Sequence, residues 1–454
     1  MEIEIISREC IKPSSPTPQH LRTHKISLID QFSAPLLGSV LLLYPPISQA
    51  TSISISKRSQ LLKQSLSKTL TLYYPLAGRF IDNLSIDCND EGLCYTVVRV
   101  NCDLQDFFNQ TDICKILPKV PKLLPRGITF GDQITTGGNV VMIHENVFAC
   151  GGFAISLLFS HNVFDASCLM AFLKTWTAMA QGGVAIPPDF SCSYLFPQNT
   201  AFPQNPMAST FSSAFGREGN FVFRRFFFEG SIVRNLKSKA TSSGVHNPTR
   251  VEVVLALLFR CVMSALKAKH GAQKSVLMST SVNLRSRAVP PLPATSVGSL
   301  VLTIPIVIGE ETSLCSFIDR LRESVSTIDG EFLKSLQGAQ GLQRFLEFVK
   351  ETHEACSKAL FNGAEFLVFN SWCNSGMYNL DFGWGKPIWF PCFGLPISGS
   401  VIQLMDDRMG NGIEACVTLE EEIMSMVEHD EELLSLASVD QNIPLQIDSL
   451  KSRL

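Results

Sequence analysis

What most constrains this chain is an alternation of strand-like and helix-like patterning that occurs twice, once on either side of an aperiodic stretch. In the first half, Glu2–Glu9 alternates and Leu37–Tyr44 reads as a buried strand. Arg58–Tyr74 predicts a helix, because Leu62, Leu66 and Leu70 recur every four residues while Leu61 and Leu72 widen the stripe. Short strands are expected at Leu84–Cys88 and Cys94–Val100, either side of the turn Asn89-Asp90-Glu91-Gly92. Val140–Cys150 and Ala154–Ser160 read as further strands. A second helix carries Leu169, Phe172, Leu173, Trp176 and Ala180 on one stripe and stops at Gly182-Gly183. From Val184 to Glu218, proline, serine and asparagine replace any sustained period. Patterning then resumes with an aromatic strand, Phe221–Phe228. Thr249-Arg250-Val251-Glu252 has the form of a capping box opening a helix to Lys269. Strands are expected at Val276–Leu284, Val297–Val307, Glu365–Asn370, Ser398–Met405 and Ile413–Leu419, with helices at Ser313–Asp329 and Glu331–Lys358 and an acidic one from Glu420. The fold class is therefore α/β. Two mixed-sheet lobes are expected, residues 1–190 and 216–454, joined by a crossover linker at 191–215, in keeping with a length of 454 residues.

Composition narrows the function. With 38 basic and 41 acidic residues the net charge is −3, which gives no electrostatic basis for holding nucleic acid or an anionic membrane. Only 17% of residues are charged and 45% are hydrophobic, which suits a large enzyme with an apolar cavity rather than a disordered chain. The 14 cysteines form no C-x-x-C pair, so they read as reduced thiols of a cytoplasmic protein. Met1–Cys10 lacks the form of a secretory signal, and the apolar runs Leu36–Pro45 and Val147–Phe159 fall short of the roughly 20 residues of a membrane span. The sequons at Asn83 and Asn109 are accordingly expected to stay unmodified.

Two constellations carry chemistry. In His161-Asn162-Val163-Phe164-Asp165, the imidazole is the side chain best matched to general-base work near neutral pH. On spacing alone, Asp165 could equally cap the following helix, and His161 could be a hydrogen-bonded core histidine. The other seven histidines lack metal-ligand spacing, so no metal is expected. No G-x-S-x-G elbow, P-loop or G-x-G-x-x-G fingerprint is present, which argues against serine hydrolysis, nucleotide-triphosphate chemistry and dinucleotide redox chemistry. In Asp381-Phe382-Gly383-Trp384-Gly385, two glycines beside two large aromatics indicate a tight turn locked by ring packing, a structural motif.

Together these motifs resemble the paired H-x-x-x-D and D-F-G-W-G signatures of the plant BAHD acyltransferases. Tyr74–Arg79, Asn283-Leu284-Arg285 and Ser371-Trp372-Cys373 are similar to further motifs of that family, in the same order. Pro13–Pro18, Ile86–Asp90 and Asn283–Arg287 look most like the subgroup of vinorine synthase and deacetylvindoline acetyltransferase. The resemblance implies two chloramphenicol-acetyltransferase-like lobes with a tunnel at their interface. It implies transfer of an acyl group from acyl-CoA to an alcohol or amine, with both substrates bound together and no acyl-enzyme. Carried over, His161 is the general base, while Asp165 points away and pairs with Arg285 to shape the catalytic loop. Asp381–Gly385 supports the fold at a distance. Trp372, through its indole N–H, is the candidate oxyanion donor. Three positions depart from the family pattern: Ala166 stands where glycine is frequent, Asn374 where arginine is common and Asn379 where an acid is frequent.

Acetyl-CoA is the expected co-substrate, with no bound cofactor. The expected acceptor is a bulky polycyclic alcohol, an alkaloid or a terpenoid such as a limonoid, and the protein is expected to act as a monomer. The run Ser281–Arg287 is basic. Phe148, Phe153, Phe159 and Phe164 crowd the histidine motif, mostly as core, with one or two free to line an apolar acceptor pocket. Two alternatives share parts of the pattern. A carrier-protein-dependent condensation domain would show two adjacent histidines, whereas Ser160 precedes His161. A non-acylating binding protein or cyclase of the same fold would have no need of His161.

Overall fold

The computed structural model describes residues 1–33, 37–46, 53–108, 116–125, 136–203, 206, 219–272, 274–309, 313–338, 340–391 and 399–439. The first half supplies β1 (Ile3–Ile11), β2 (Thr23–Lys25), β3 (Leu37–Tyr44), helix α1 (Ile55–Leu72), β4 (Arg79–Asp82), β5 (Ser85–Asp87), β6 (Leu93–Val100), β7 (Val141–Phe148), β8 (Phe153–Ser160) and helix α2 (Ala166–Ala180). A five-stranded sheet runs β1-β6-β7-β8-β3, antiparallel except for the β6–β7 pair, and β2, β5 and β4 form a small sheet beside it. Every residue of β8 is buried, so this strand has no polar face. Its Ile155, Leu157 and Phe159 join the core under α1 and α2, while Ala154 faces the cluster of Leu41, Leu43 and Phe148 on the other side.

The predicted leucine stripe of α1 is its buried face, with Leu62, Leu66 and Leu70 wholly inaccessible. It packs on α2, where the Trp176 indole N–H donates to the Leu62 carbonyl and the Ser65 hydroxyl, both at 3.1 Å. That bond satisfies the one polar atom a buried tryptophan brings.

The second half supplies β9 (Phe221–Phe228), helices α3 (Gly230–Ser242) and α4 (Arg250–His270), β10 (Val276–Asn283), β11 (Val301–Ile308), helices α5 (Leu314–Ser326), α6 (Gly330–Ser335) and α7 (Gly341–Phe361), then β12 (Glu365–Ser371), β13 (Ser400–Asp406), β14 (Ile413–Glu420) and β15 (Ser438–Val439). Its seven-stranded sheet has the order β11-β10-β12-β13-β14-β9-β15. The capping box of α4 is present in both directions, Glu252 N to Thr249 Oγ1 at 3.1 Å and Thr249 N to Glu252 Oε2 at 2.7 Å. Pro305 lies in β11, an edge strand, where a missing N–H need not break a ladder.

Three expectations needed correction. The helix expected over Glu331–Lys358 is two, α6 and α7, parted by Gly338 at φ +69°. The strand expected from Val297 begins at Val301, because the Ser299 and Leu300 N–H groups go to Asp30 and Asp165, and the Ser296 and Gly298 carbonyls to Arg285, rather than to a ladder. Helix α3 was not expected, although Val233, Leu236 and Ala240 form a short buried stripe along it.

Residues 377–391 come late in the chain, within the range assigned to the second lobe, yet they pack on the first. Ile388 N donates to the Leu43 carbonyl at 2.8 Å, Leu43 N to the Trp389 carbonyl at 3.0 Å, and the Tyr44 hydroxyl to the Leu380 carbonyl at 2.9 Å. The expected linker is also used for packing. Cys192, Phe196 and Phe202 are buried with Leu28 and Phe32 from the first half and Phe345 and Phe348 from α7. Residues 204–205 and 207–215 of that linker, and Asn109, lie outside the described residues. Among the described residues no helix is long and apolar enough to cross a membrane.

Candidate active site at the junction of the two halves

The chain leaves β8 at Ser160 and turns at once. Val163 N and Phe164 N both donate to the Ser160 carbonyl, at 3.2 and 3.1 Å, and Ser160 Oγ bonds to the Asn162 side chain. Ser160, Asn162, Val163 and Phe164 are buried, while His161 alone in this turn keeps part of its surface accessible. The Phe159 ring lies 6.4 Å from the imidazole, centroid to centroid. Burial pulls the imidazole below its ordinary pKa of 6.5, against the opposing effects of a hydrogen bond to its own backbone and the charge of Asp165.

Asp165 caps α2, with Oδ1 accepting from Cys168 N at 2.7 Å. The same carboxylate accepts from Arg285 Nη1 at 2.6 Å and Nη2 at 3.1 Å, and from Leu300 N at 3.0 Å. Both side chains are almost inaccessible, at 2% and 4%. Asp165 thus has no lone pair left to turn toward His161. The two readings of the aspartate, cap and arginine partner, are both realised. Burial alone would lower the Arg285 guanidinium, but the Asp165 charge and its hydrogen bonds together hold the group above its ordinary value. Arg285 also donates to the carbonyls of Ser296 at 2.9 Å and Gly298 at 3.1 Å. Two residues before Arg285, at the end of β10, Asn283 Nδ2 donates to Ser167 Oγ at 2.9 Å, so Asn283 and Arg285 both tie the second sheet to the start of α2. A residue not singled out from sequence joins this cluster: Asp30, whose Oδ1 accepts from Ser299 N at 2.6 Å. Its only signal is an acid flanked by Leu28, Ile29 and Phe32.

A cleft of about 350 Å³ opens alongside, lined by Glu252, Ser281, Asn283, Arg287, Arg322 and Phe369 among others. It takes in much of the basic run noted in the sequence. Arg322 is paired with Glu252 at 2.7 Å, whereas Arg287 donates to the Val325 and Ile328 carbonyls at 3.1 and 2.8 Å.

Trp372 stands just beyond β12, its ring 5.7 Å from Phe390 and its backbone N–H on the Leu404 carbonyl. Among the described residues no hydrogen bond joins it to the histidine turn. The Asp381 carboxylate folds its own loop, accepting from Gly383 N at 2.6 Å and Gly385 N at 3.0 Å. Both glycines have positive φ, +104° and +110°, which this turn demands. Phe382 is buried against Trp176, centroids 4.8 Å apart, and against Tyr44 at 5.8 Å; Trp384 stacks over Phe382. The Asp381 carbonyl receives Gln181 Nε2 at the C-terminal end of α2. Asp165 caps the other end, so the 15 residues of α2 separate the two motifs by about 22 Å.

The three departures have local explanations. Ala166 is the first residue of α2 in ordinary helical conformation, so glycine's freedom is not needed there. Asn374, at φ +62°, accepts from Arg250 Nη2 at 2.8 Å, which brings a guanidinium from α4 to this position. Asn379 keeps a bond to Lys386 Nζ at 2.9 Å, as a neutral acceptor instead of an anionic one. Among the described residues no group of three or more His, Cys, Asp or Glu side chains gathers to hold a metal ion.

Two sheet-rich halves, pinned by a buried Asp–Arg pair with an imidazole at the end of a central strand, define a two-lobed acyltransferase architecture. A solved structure, that of vinorine synthase, superposes with a TM-score of 0.78 at 32% identity, covering 97% of this chain and 100% of the other. The model of the transferase family matches residues 1–434. The chain belongs to this family, the BAHD acyltransferases. It is 42% identical over 458 residues to epi-neemfruitin B 7-O-acetyltransferase of Melia azedarach, covering 97% of this chain and 99% of that protein. It is likewise 42% identical over 465 residues to limonoid 7-O-acetyltransferase of Citrus sinensis, with the same coverage.

Proposed function

We propose that the protein is an acyl-CoA-dependent O-acyltransferase that moves acetyl from acetyl-CoA to a hydroxyl of a bulky plant metabolite, a limonoid or alkaloid alcohol. One arrangement carries the reading. His161 keeps part of its surface accessible, while the aspartate four residues on is fully engaged by Arg285, Leu300 N and the α2 backbone. The imidazole is therefore left to work alone, as a base and not as part of a triad.

In the reaction, the His161 imidazole takes the proton of the acceptor hydroxyl as its oxygen attacks the thioester carbonyl. The tetrahedral intermediate collapses, the C–S bond breaks, and the imidazolium returns the proton to the CoA thiolate. Burial supports this by keeping the ring neutral before attack. General-base positioning of this kind supplies roughly 10²–10⁴ in rate. The Trp372 indole N–H is the proposed donor to the developing oxyanion, where a well-aimed donor supplies a comparable factor. The cleft bearing Arg287 and Arg322 is the proposed approach for CoA, because the basic run lines it and Asn283 links it to α2. Of the four phenylalanines near the motif, Phe159 is the proposed acceptor wall. It lies closest to His161, and Gly38 leaves it room, since a Cβ there would stand 2.7 Å from the Phe159 ring. The protein is proposed to act as a cytoplasmic monomer.

The test is incubation of purified protein with acetyl-CoA and a panel of limonoid and alkaloid alcohols, read by free-thiol release and product mass. An acetylated limonoid or alkaloid product is expected. Acetyl-CoA left intact across the whole panel would remove the proposal.

A further inference from the structure

We propose that Asp30 is a positioning residue for the histidine turn, acting through the segment Gly298-Ser299-Leu300 on which that turn is seated. The inference rests on the reading of His161 as the base. Three successive residues of the second half are gripped from the first half and from Arg285. The Gly298 carbonyl accepts from Arg285 Nη2 at 3.1 Å, Ser299 N donates to Asp30 Oδ1 at 2.6 Å, and Leu300 N donates to Asp165 Oδ2 at 3.0 Å. Gly298 also forms a bridge with Phe164, within the turn that presents His161. The ring is thus located between two anchors on one strip of backbone, one at Asp165 and one at Asp30.

The Asp30 anchor is built for close contact. Its Oδ2 accepts from Ser27 N at 2.6 Å, and its own N–H donates to Ser27 Oγ at 3.1 Å, which fixes the carboxylate direction. Ser33 Oγ and Ser299 Oγ meet at 2.8 Å beside it. Gly298 sits at φ +137°, and a Cβ there would stand 2.9 Å from Asp30 Oδ1, so no larger residue could keep this approach.

Asp30 is 4% exposed and has no basic side chain within 4.0 Å among the described residues. Burial first, then the facing Asp165 charge, push it up to about 6. The Asp30 carboxylate accepts from Ser27 N through one oxygen and from Ser299 N through the other. An amide cannot do so, since its NH₂ would meet one of those donors. A shift of even ~1 Å at a site of this kind costs about 100-fold in rate, so slack in residues 298–300 reaches the reaction through Phe164.

The experiment compares the wild-type chain with Asp30→Asn, His161→Ala and a stability control, Leu62→Ala in the α1 core. Two quantities are read well below each melting temperature: turnover with the acceptor taken from the panel, and the rate at which diethyl pyrocarbonate carbethoxylates His161. Asp30→Asn is expected to lower kcat about tenfold with KM for acetyl-CoA within about twofold, and to change the His161 modification rate at least about threefold. Leu62→Ala should lower the melting temperature but leave both quantities at wild-type values. Wild-type kcat or a wild-type modification rate in Asp30→Asn overturns the proposal. Should that variant not fold, Ser27→Ala takes its place; it deletes only the hydroxyl that orients Asp30, and an unchanged modification rate there overturns the proposal equally. Full activity in His161→Ala marks failure of the general-base reading. A dead His161→Ala beside an unaffected Asp30→Asn marks failure of this inference alone.

Discussion

His161 is tuned by its surroundings in a direction that fixes how activity depends on pH. Burial disfavours the imidazolium, so the neutral, proton-accepting ring persists to lower pH than in water. Protonation removes the lone pair the reaction needs. Activity should therefore be lost as pH falls through a midpoint below 6.5, and a profile of kcat/KM measures it. A midpoint above 6.5 contradicts the assignment. Asp165 acts differently, since all its bonds are structural. Asp165→Ala strands the Arg285 charge in a buried site and should cost about 3–5 kcal/mol, read by denaturant unfolding. An unchanged unfolding midpoint would show the pair to be unimportant. At this scale the histidine and aspartate could be found from the sequence because they lie four residues apart, and Arg285 because its neighbours form a recognisable motif. Asp30 could not. Its partner Ser299 is 269 positions away, and no local spacing encodes such a bond.

At the scale of elements, α2 is the beam that connects the two motifs. Asp165 caps its start and Gln181 holds the D-F-G-W-G loop at its end, so the proposed catalytic turn and the packing motif share one rigid part. Phe382→Ala should leave a void between Trp176 and Tyr44 costing about 3–5 kcal/mol, while folded protein retains KM for acetyl-CoA within about twofold. Thermal unfolding and steady-state kinetics check the two parts separately. A large rise in KM with little loss of stability would place the loop in the active site instead. Helices and strands with strong one-sided patterning, such as α1, α2, α4 and β9, could be read in advance to within a few residues. The break between α6 and α7 could not, because Gly338 interrupts a stripe that continues on both sides. The late start of β11 was hidden for another reason. Residues 296–300 look like strand in composition, and only the tertiary partners Asp30, Asp165 and Arg285 draw them off the sheet edge.

Across the whole molecule the two halves are joined by exchange and not by mere abutment. Residues 377–391 from late in the chain complete the first half's core, and the aromatic cluster of Phe32, Phe202 and Phe345 draws in the linker. Such interlocking keeps the seam, and with it the histidine turn, in a fixed geometry, as the proposed reaction between two simultaneously bound substrates requires. The alternation of patterns made the two halves legible, while the exchange was not, because hydrophobicity along the chain does not say which core a segment enters. The central claim is that one imidazole at this seam takes the proton of the attacking alcohol. Its most direct test is the kcat of His161→Ala at saturating acetyl-CoA and acceptor, in protein whose melting temperature matches the wild type. The account predicts a drop of at least about 100-fold; turnover close to that of the wild type would contradict it.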